Sequence, residues 1–165
     1  MRQKSPAVFL FFGLFFAFVF PAGADTVMVY TEKAEGDGDV EMSRGYLEDG
    51  VMEGFFDAGH IVFNAYPEMD EANSEPEDFS EKFSVRAAKD GGATLLLEIA
   101  MKFDSSEENS LPDSASYRYY DLDSGDLLAR GEADLPEEDD DKELKEEEKL
   151  NRLGSAVVES VLGKK

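Results

Sequence analysis

Residues 93–103 read Ala-Thr-Leu-Leu-Leu-Glu-Ile-Ala-Met-Lys-Phe, the strongest strand in the chain. Apolar residues run through it almost unbroken, and only Glu98 and Lys102 are charged. Asp90-Gly91-Gly92, just before it, stops a short helix predicted over 79–89, with Phe79, Phe83 and Ala87 on one face. After it, the polar stretch 104–113 leads to two more strands, 115–120 and 127–135. Between these lies Asp121-Leu122-Asp123-Ser124-Gly125-Asp126, whose composition is that of a hairpin turn. One helix, one long strand and a hairpin in this order point to an α+β protein.

The flanks complete the order. Upstream, residues 26–31 (TVMVYT) are β-rich, and residues 61–64 (IVFN) form a second short strand. Between them Val40, Leu47, Val51, Phe55 and Ala58 recur at three- and four-residue steps, which predicts an amphipathic helix of about five turns. Asp39 is placed as its N-cap and Gly59 as its C-cap. Gly45, Gly50 and Gly54 weaken this helix by roughly 1 kcal/mol each relative to alanine, and their spacing suggests close packing on the sheet. Residues 66–78 read as a loop. Downstream, the acidic segment at about 136–148 precedes a last helix with Leu150, Leu153, Val157 and Val161 on one face, ended by Gly163. The expected fold is a single domain of β-α-β-α-β-β-α order, a mixed sheet with helices packed on one face.

Residues 1–24 read as a cleavable secretory signal peptide. Arg2 and Lys4 form a positive start, residues 7–20 are apolar and rich in phenylalanine, and Pro21-Ala22-Gly23-Ala24 supplies small residues for cleavage before Asp25. The apolar run falls short of the ~20 residues that span a bilayer. Residues 25–165 are then expected as one exported domain, without stable membrane insertion after cleavage. The periplasm is the expected location; the alternatives are release outside the cell or an uncleaved N-terminal anchor. The chain has no cysteine, so lipoprotein processing, thiol nucleophiles, disulfides and thiolate metal sites are excluded.

Charge narrows the partners. The chain has 16 basic and 38 acidic residues, and without Arg2 and Lys4 it carries 14 against 38, a formal −24. Phosphate backbones are repelled, so nucleic acid is not an expected partner. The large negative charge mainly promotes solubility and favours cations only weakly.

The order resembles the small periplasmic α/β domain of the TolB N-terminus, of LpoB-like activators, and of CsgG- and FlgT-related envelope proteins. Three features carry the resemblance: a long helix feeding the short strand at 59–65, Ala-Ala-x-x-Gly-Gly-Ala at 87–93, and Tyr-Asp-Leu-Asp-Ser-Gly-Asp-Leu-Leu at 120–128. TolB's propeller and the lipoprotein cysteine of LpoB-like proteins are missing here. The resemblance implies a non-catalytic adaptor in an envelope assembly, with a protein of the envelope as partner.

Two candidate sites follow. Tyr117, Tyr119 and Tyr120 crowd one strand and would form a partner-binding patch if exposed; the alternative is a sheet face covered by helices. Asp121, Asp123, Asp126 and Glu132 are candidate calcium ligands. Asp121, Asp123 and Glu132 match positions one, three and twelve of an EF-hand loop, whereas Gly125 at five and Asp126 at six break that pattern. The competing reading is a plain hairpin turn. His60, the one histidine, has no partner set for zinc or general-base chemistry. No nucleophile-elbow, zincin or Walker motif is present, so no enzyme activity and no cofactor are expected. A hydrolytic carboxylate pair is the third reading, without residues to assign to it.

Overall fold

The computed structural model describes residues 24–32, 40–65, 78–103, 111–136 and 144–163. The expected signal peptide up to residue 23, the expected N-cap at Asp39 and most of the acidic segment lie outside them. The described residues form one α+β domain around a five-stranded mixed sheet, as the order of elements requires. The elements are β1 (Thr26–Thr31), α1 (Val40–Asp57), β2 (Ile61–Ala65), a 3-10 turn (Phe79–Glu81), α2 (Phe83–Asp90), β3 (Leu95–Lys102), β4 (Ser114–Asp121), β5 (Leu127–Asp134) and α3 (Glu146–Leu162). Among the described residues no helix is long and apolar enough to cross a membrane.

The strand order is β2-β1-β3-β4-β5, with β1 parallel to both neighbours and the β3-β4-β5 pairs antiparallel. Strand alternation sends successive side chains to opposite faces. Val27, Val29, Leu95, Leu97, Ile99, Ala115, Tyr117 and Tyr119 face one way and pack with Leu47, Val51 and Phe55 of α1 and Leu153, Val157 and Val158 of α3. Met28 and Leu96 face the other way, onto Val85 and Ala88 of α2. The two long helices therefore share a face, and the short α2 takes the opposite one, a departure from the expected one-sided layer. Crossover handedness accounts for it. Parallel crossovers are right-handed in nearly all proteins. The chain moves outward from β1 to β2 and then back across β1 to β3, so the same hand sends α1 and α2 to opposite faces.

The helix predicted over 79–89 is split at Lys82, whose extended ψ of 140° ends the 3-10 turn and starts α2. The break shifts the helical phase, and Ser84, Val85 and Ala88 are buried rather than Phe83 and Ala87. The glycines of α1 also serve a different neighbour from the one expected. A Cβ at Gly50 would fall 2.0 Å from the carbonyl oxygen of Asn151, and one at Gly154 would fall 2.3 Å from that of Leu47. Both distances are far inside van der Waals contact, so α1 and α3 touch backbone to backbone. The glycines pack on α3 and not on the sheet, and Gly45 meets nothing within 4 Å.

Candidate functional site

The β4–β5 hairpin holds most of the residues singled out from the sequence, and the structure separates them. Tyr117 and Tyr119 are only 7% and 6% exposed. Tyr119 stacks on Phe55 of α1, with ring centroids 5.9 Å apart at 26°. Burial, with the nearby charge of Asp25, pushes its phenol up from 10.0 to about 12. Tyr117 lies beneath Gly131, where an added Cβ would meet its hydroxyl at 2.6 Å. Tyr120 faces the other way, against Phe79 with ring centroids at 4.8 Å. The expected tyrosine patch is thereby corrected: alternation splits the three, and the two inward rings belong to the core.

The four acids do not converge either. The Asp121 carboxylate accepts hydrogen bonds from the Ser124 and Asp123 backbone N–H groups at 2.8 and 3.0 Å and from the Ser124 hydroxyl at 3.1 Å. The Ser124 bonds hold Asp121 below the ordinary carboxylate value. Gly125 closes the turn at φ 77°, a conformation that costs glycine no steric penalty. Asp121 is thus the cap of a hairpin turn. Glu132 lies well along β5, opposite Ser116, where Lys102 Nζ and Ser114 Oγ each donate to it at 2.6 Å. These contacts, Lys102 first, lower its pKa. Among the described residues no three acidic or histidine side chains are grouped to hold a metal. The calcium reading falls on that separation.

Sequence reasoning missed a polar network on the α2 face. Glu98 of β3 is 3% exposed. It accepts a hydrogen bond from Ser84 Oγ at 2.7 Å and is ion-paired with Arg118 Nε at 3.1 Å and Lys82 Nζ at 3.7 Å. Arg118 also pairs with Glu32. Burial opposes the Arg118 charge, but Glu32 and Glu98 outweigh it and raise its pKa. Glu98, Arg118, Arg130 and Glu132 line an open groove of about 500 Å³ over β3, β4 and β5. A single acid inside an apolar strand was the available signal. A second buried carboxylate, Glu48 of α1, is held by Arg44 Nε at 2.9 Å and Asn64 Nδ2 at 2.8 Å and ties α1 to β2. His60 sits edge-on to Phe55 with ring centroids at 5.6 Å.

The outer edge of the sheet is the open feature. Among the described residues β5 pairs with β4 alone, and six of its eight residues are exposed. A bulge leaves Leu128 without an opposite residue, and Leu127 and Leu128 are 44% and 53% exposed. Leu135 N–H donates to the Asp113 carbonyl at 2.7 Å, which sets the phase of the ladder. Bonded and non-bonded pairs alternate in antiparallel strands. The main-chain groups of Ala129, Gly131 and Ala133 therefore face β4, and those of Arg130, Glu132 and Asp134 point outward. Among the described residues, Arg130 has no ion-pair partner.

No family model matches the chain, and no curated protein matches it. Solved structures similar in shape include three envelope-related ones by name or fold. PelC from Paraburkholderia phytofirmans is 13% identical, with a TM-score of 0.49 over 84% of this chain and 89% of that one. Lipoprotein GNA1162 from Neisseria meningitidis is 17% identical, with a TM-score of 0.44 over 83% and 97%. TolB from Acinetobacter baumannii is 11% identical, with a TM-score of 0.41 over 85% of this chain and 29% of that one. Likeness at this level assigns neither a family nor a role.

Proposed function

We propose that this chain is an exported, non-enzymatic interaction protein of the bacterial cell envelope, acting in the periplasm, with the outer edge of β5 as its docking surface. The observation that carries the proposal is the exposed edge itself. Proteins usually blunt such edges, because a free row of N–H and C=O groups accepts any extended segment. Here the edge is eight residues long and bears two exposed leucines. An added strand would gain main-chain hydrogen bonds from the edge and apolar contact from Leu127 and Leu128. Residues 1–24 supply the reason to place this surface outside the cytoplasm, and the strong negative charge sets partner choice.

Arg130→Pro tests it. Proline removes one outward N–H and leaves the β4 ladder intact, a change that edge strands tolerate. Tagged wild-type and variant chains are expressed in the native host and recovered from its envelope at physiological salt. The expected result is a stoichiometric envelope protein retained by the wild type after a salt wash and lost from the variant, with unchanged circular dichroism. Equal capture by both overturns the edge. Capture of nothing but basic proteins that salt removes overturns the adaptor.

A further inference from the structure

We propose that in the isolated chain the occupant of the β5 edge is β5 of a second copy, paired antiparallel about a two-fold axis at Gly131, and that an envelope partner displaces it. This rests on the reading of β5 as the docking edge. Register decides it. When a strand pairs with its own copy about a two-fold axis, residues equidistant from the axis face each other. The outward main-chain groups belong to Arg130, Glu132 and Asp134, and their side chains share the polar face with Ser114, Ser116 and Arg118.

Each possible axis gives a different charge pattern. Through Arg130, that cation faces itself; through Glu132, Arg130 gains Asp134 of the second copy but the carboxylate faces itself. Through Ala133, Glu132 faces Asp134 of the second copy, again like charges. Through Ala129, Arg130 faces Leu128. Only the axis at Gly131 places Arg130 opposite Glu132 of the second copy, twice over. The same axis makes these pairs the hydrogen-bonded ones, because both residues have main-chain groups that point outward. It also sets Ala129 against Ala133 and Gly131 against itself on the helix side of the seam, where Tyr117 covers Gly131. Among the described residues Arg130 has no ion-pair partner, and a carboxylate offers about four lone-pair sites. Glu132 can therefore accept Arg130 of the second copy while it keeps Lys102 and Ser114. Opposite charges directly across a ladder stabilise it, and like charges destabilise it.

Sedimentation equilibrium of the secreted chain, from ~1 µM to ~1 mM at about 0.15 M salt, tests the pairing. The wild type is expected to be a dimer at the upper end. R130E and E132R should each raise Kd by about tenfold or more. An equimolar mixture of the two variants should form a heterodimer with wild-type affinity, because each strand then supplies the charge that the other lacks. The double variant R130E/E132R should dimerise on its own. A wild type that stays monomeric overturns the pairing, and so do single reversals that leave Kd unchanged. A monomer that still loses its envelope partner on Arg130→Pro keeps the docking edge and refutes the second copy alone. A charge-sensitive dimer without any envelope partner keeps the pairing and refutes the adaptor.

Discussion

The two faces of the sheet solve the same packing problem in different ways. The α1/α3 face is dry. Its strands present Val27, Leu97, Ile99 and Tyr119, and its two helices close so tightly that only glycine fits at Gly50 and Gly154. The α2 face is half covered. One eight-residue helix shields Met28 and Leu96, and the rest of the face carries Glu98, Arg118, Lys82 and Glu32 beside an open groove. Stability resides on the first face, where apolar area leaves water. The second face and its edge keep polar groups and free main chain available for contact. A single sheet thus separates holding the fold from presenting a surface.

The largest break in this contrast is expected at the glycine seam. Gly154→Val would drive a side chain into the Leu47 carbonyl at 2.3 Å and the Val51 amide at 2.8 Å, and neither backbone can yield without parting the helices. A loss of about 3 kcal/mol in urea unfolding is expected. Gly45→Ala, with nothing within 4 Å, should instead gain about 0.5–1 kcal/mol. Equal effects at the two positions would refute the seam.

Next comes the polar face. Glu98→Ala removes the buried partner of Ser84, Lys82 and Arg118. Arg118 is 41% exposed and retains Glu32, so the expected cost is about 2 kcal/mol rather than that of a fully stranded charge. The same denaturation measurement checks it, and an unchanged midpoint would show that the network adds nothing to stability.

The smallest effect is confined to alkaline pH. The Tyr119 phenol titrates near 10.0 when unfolded and near 12 when folded, so the native state holds its proton longer. Its contribution is complete below the unfolded value and is lost as pH rises through the folded one. Tyr119→Phe should flatten the fall in stability between those pH values and leave neutral stability nearly unchanged. A wild type without that fall would remove Tyr119 from the core.

Much of the architecture was legible because it rests on local pattern. The runs at 26–31, 61–64 and 93–103 are short, β-rich or apolar and bounded by polar or glycine residues, residues 115–120 alternate, and Leu47, Val51 and Phe55 obey the helical period. What escaped depends on contacts between distant segments. Gly50 and Gly154 give no sign in sequence that they meet. The side of the sheet that α2 covers follows from strand order, which pattern alone does not fix. Tyr117 and Tyr119 alternate correctly, yet alternation does not say which face is covered. Asp121 and Glu132 have ligand spacing along the chain, but a β-strand holds them apart where an EF-hand loop would fold them together. The outward residues of the β5 edge follow from a ladder phase that the hydrogen bond at Leu135 sets, which no local pattern reveals.

The glycine seam has a consequence for the order in which the chain matures. It joins a helix near the start of the domain to the last helix of the chain. Contacts of such long sequence separation slow folding, because the intervening chain must be ordered first. Synthesis from the N-terminus delivers α1 well before α3. Until then the apolar side of β1 and β3 has only half its lid, and the domain cannot close on itself. Late closure would make the docking of α3 the step that commits the domain to its native form.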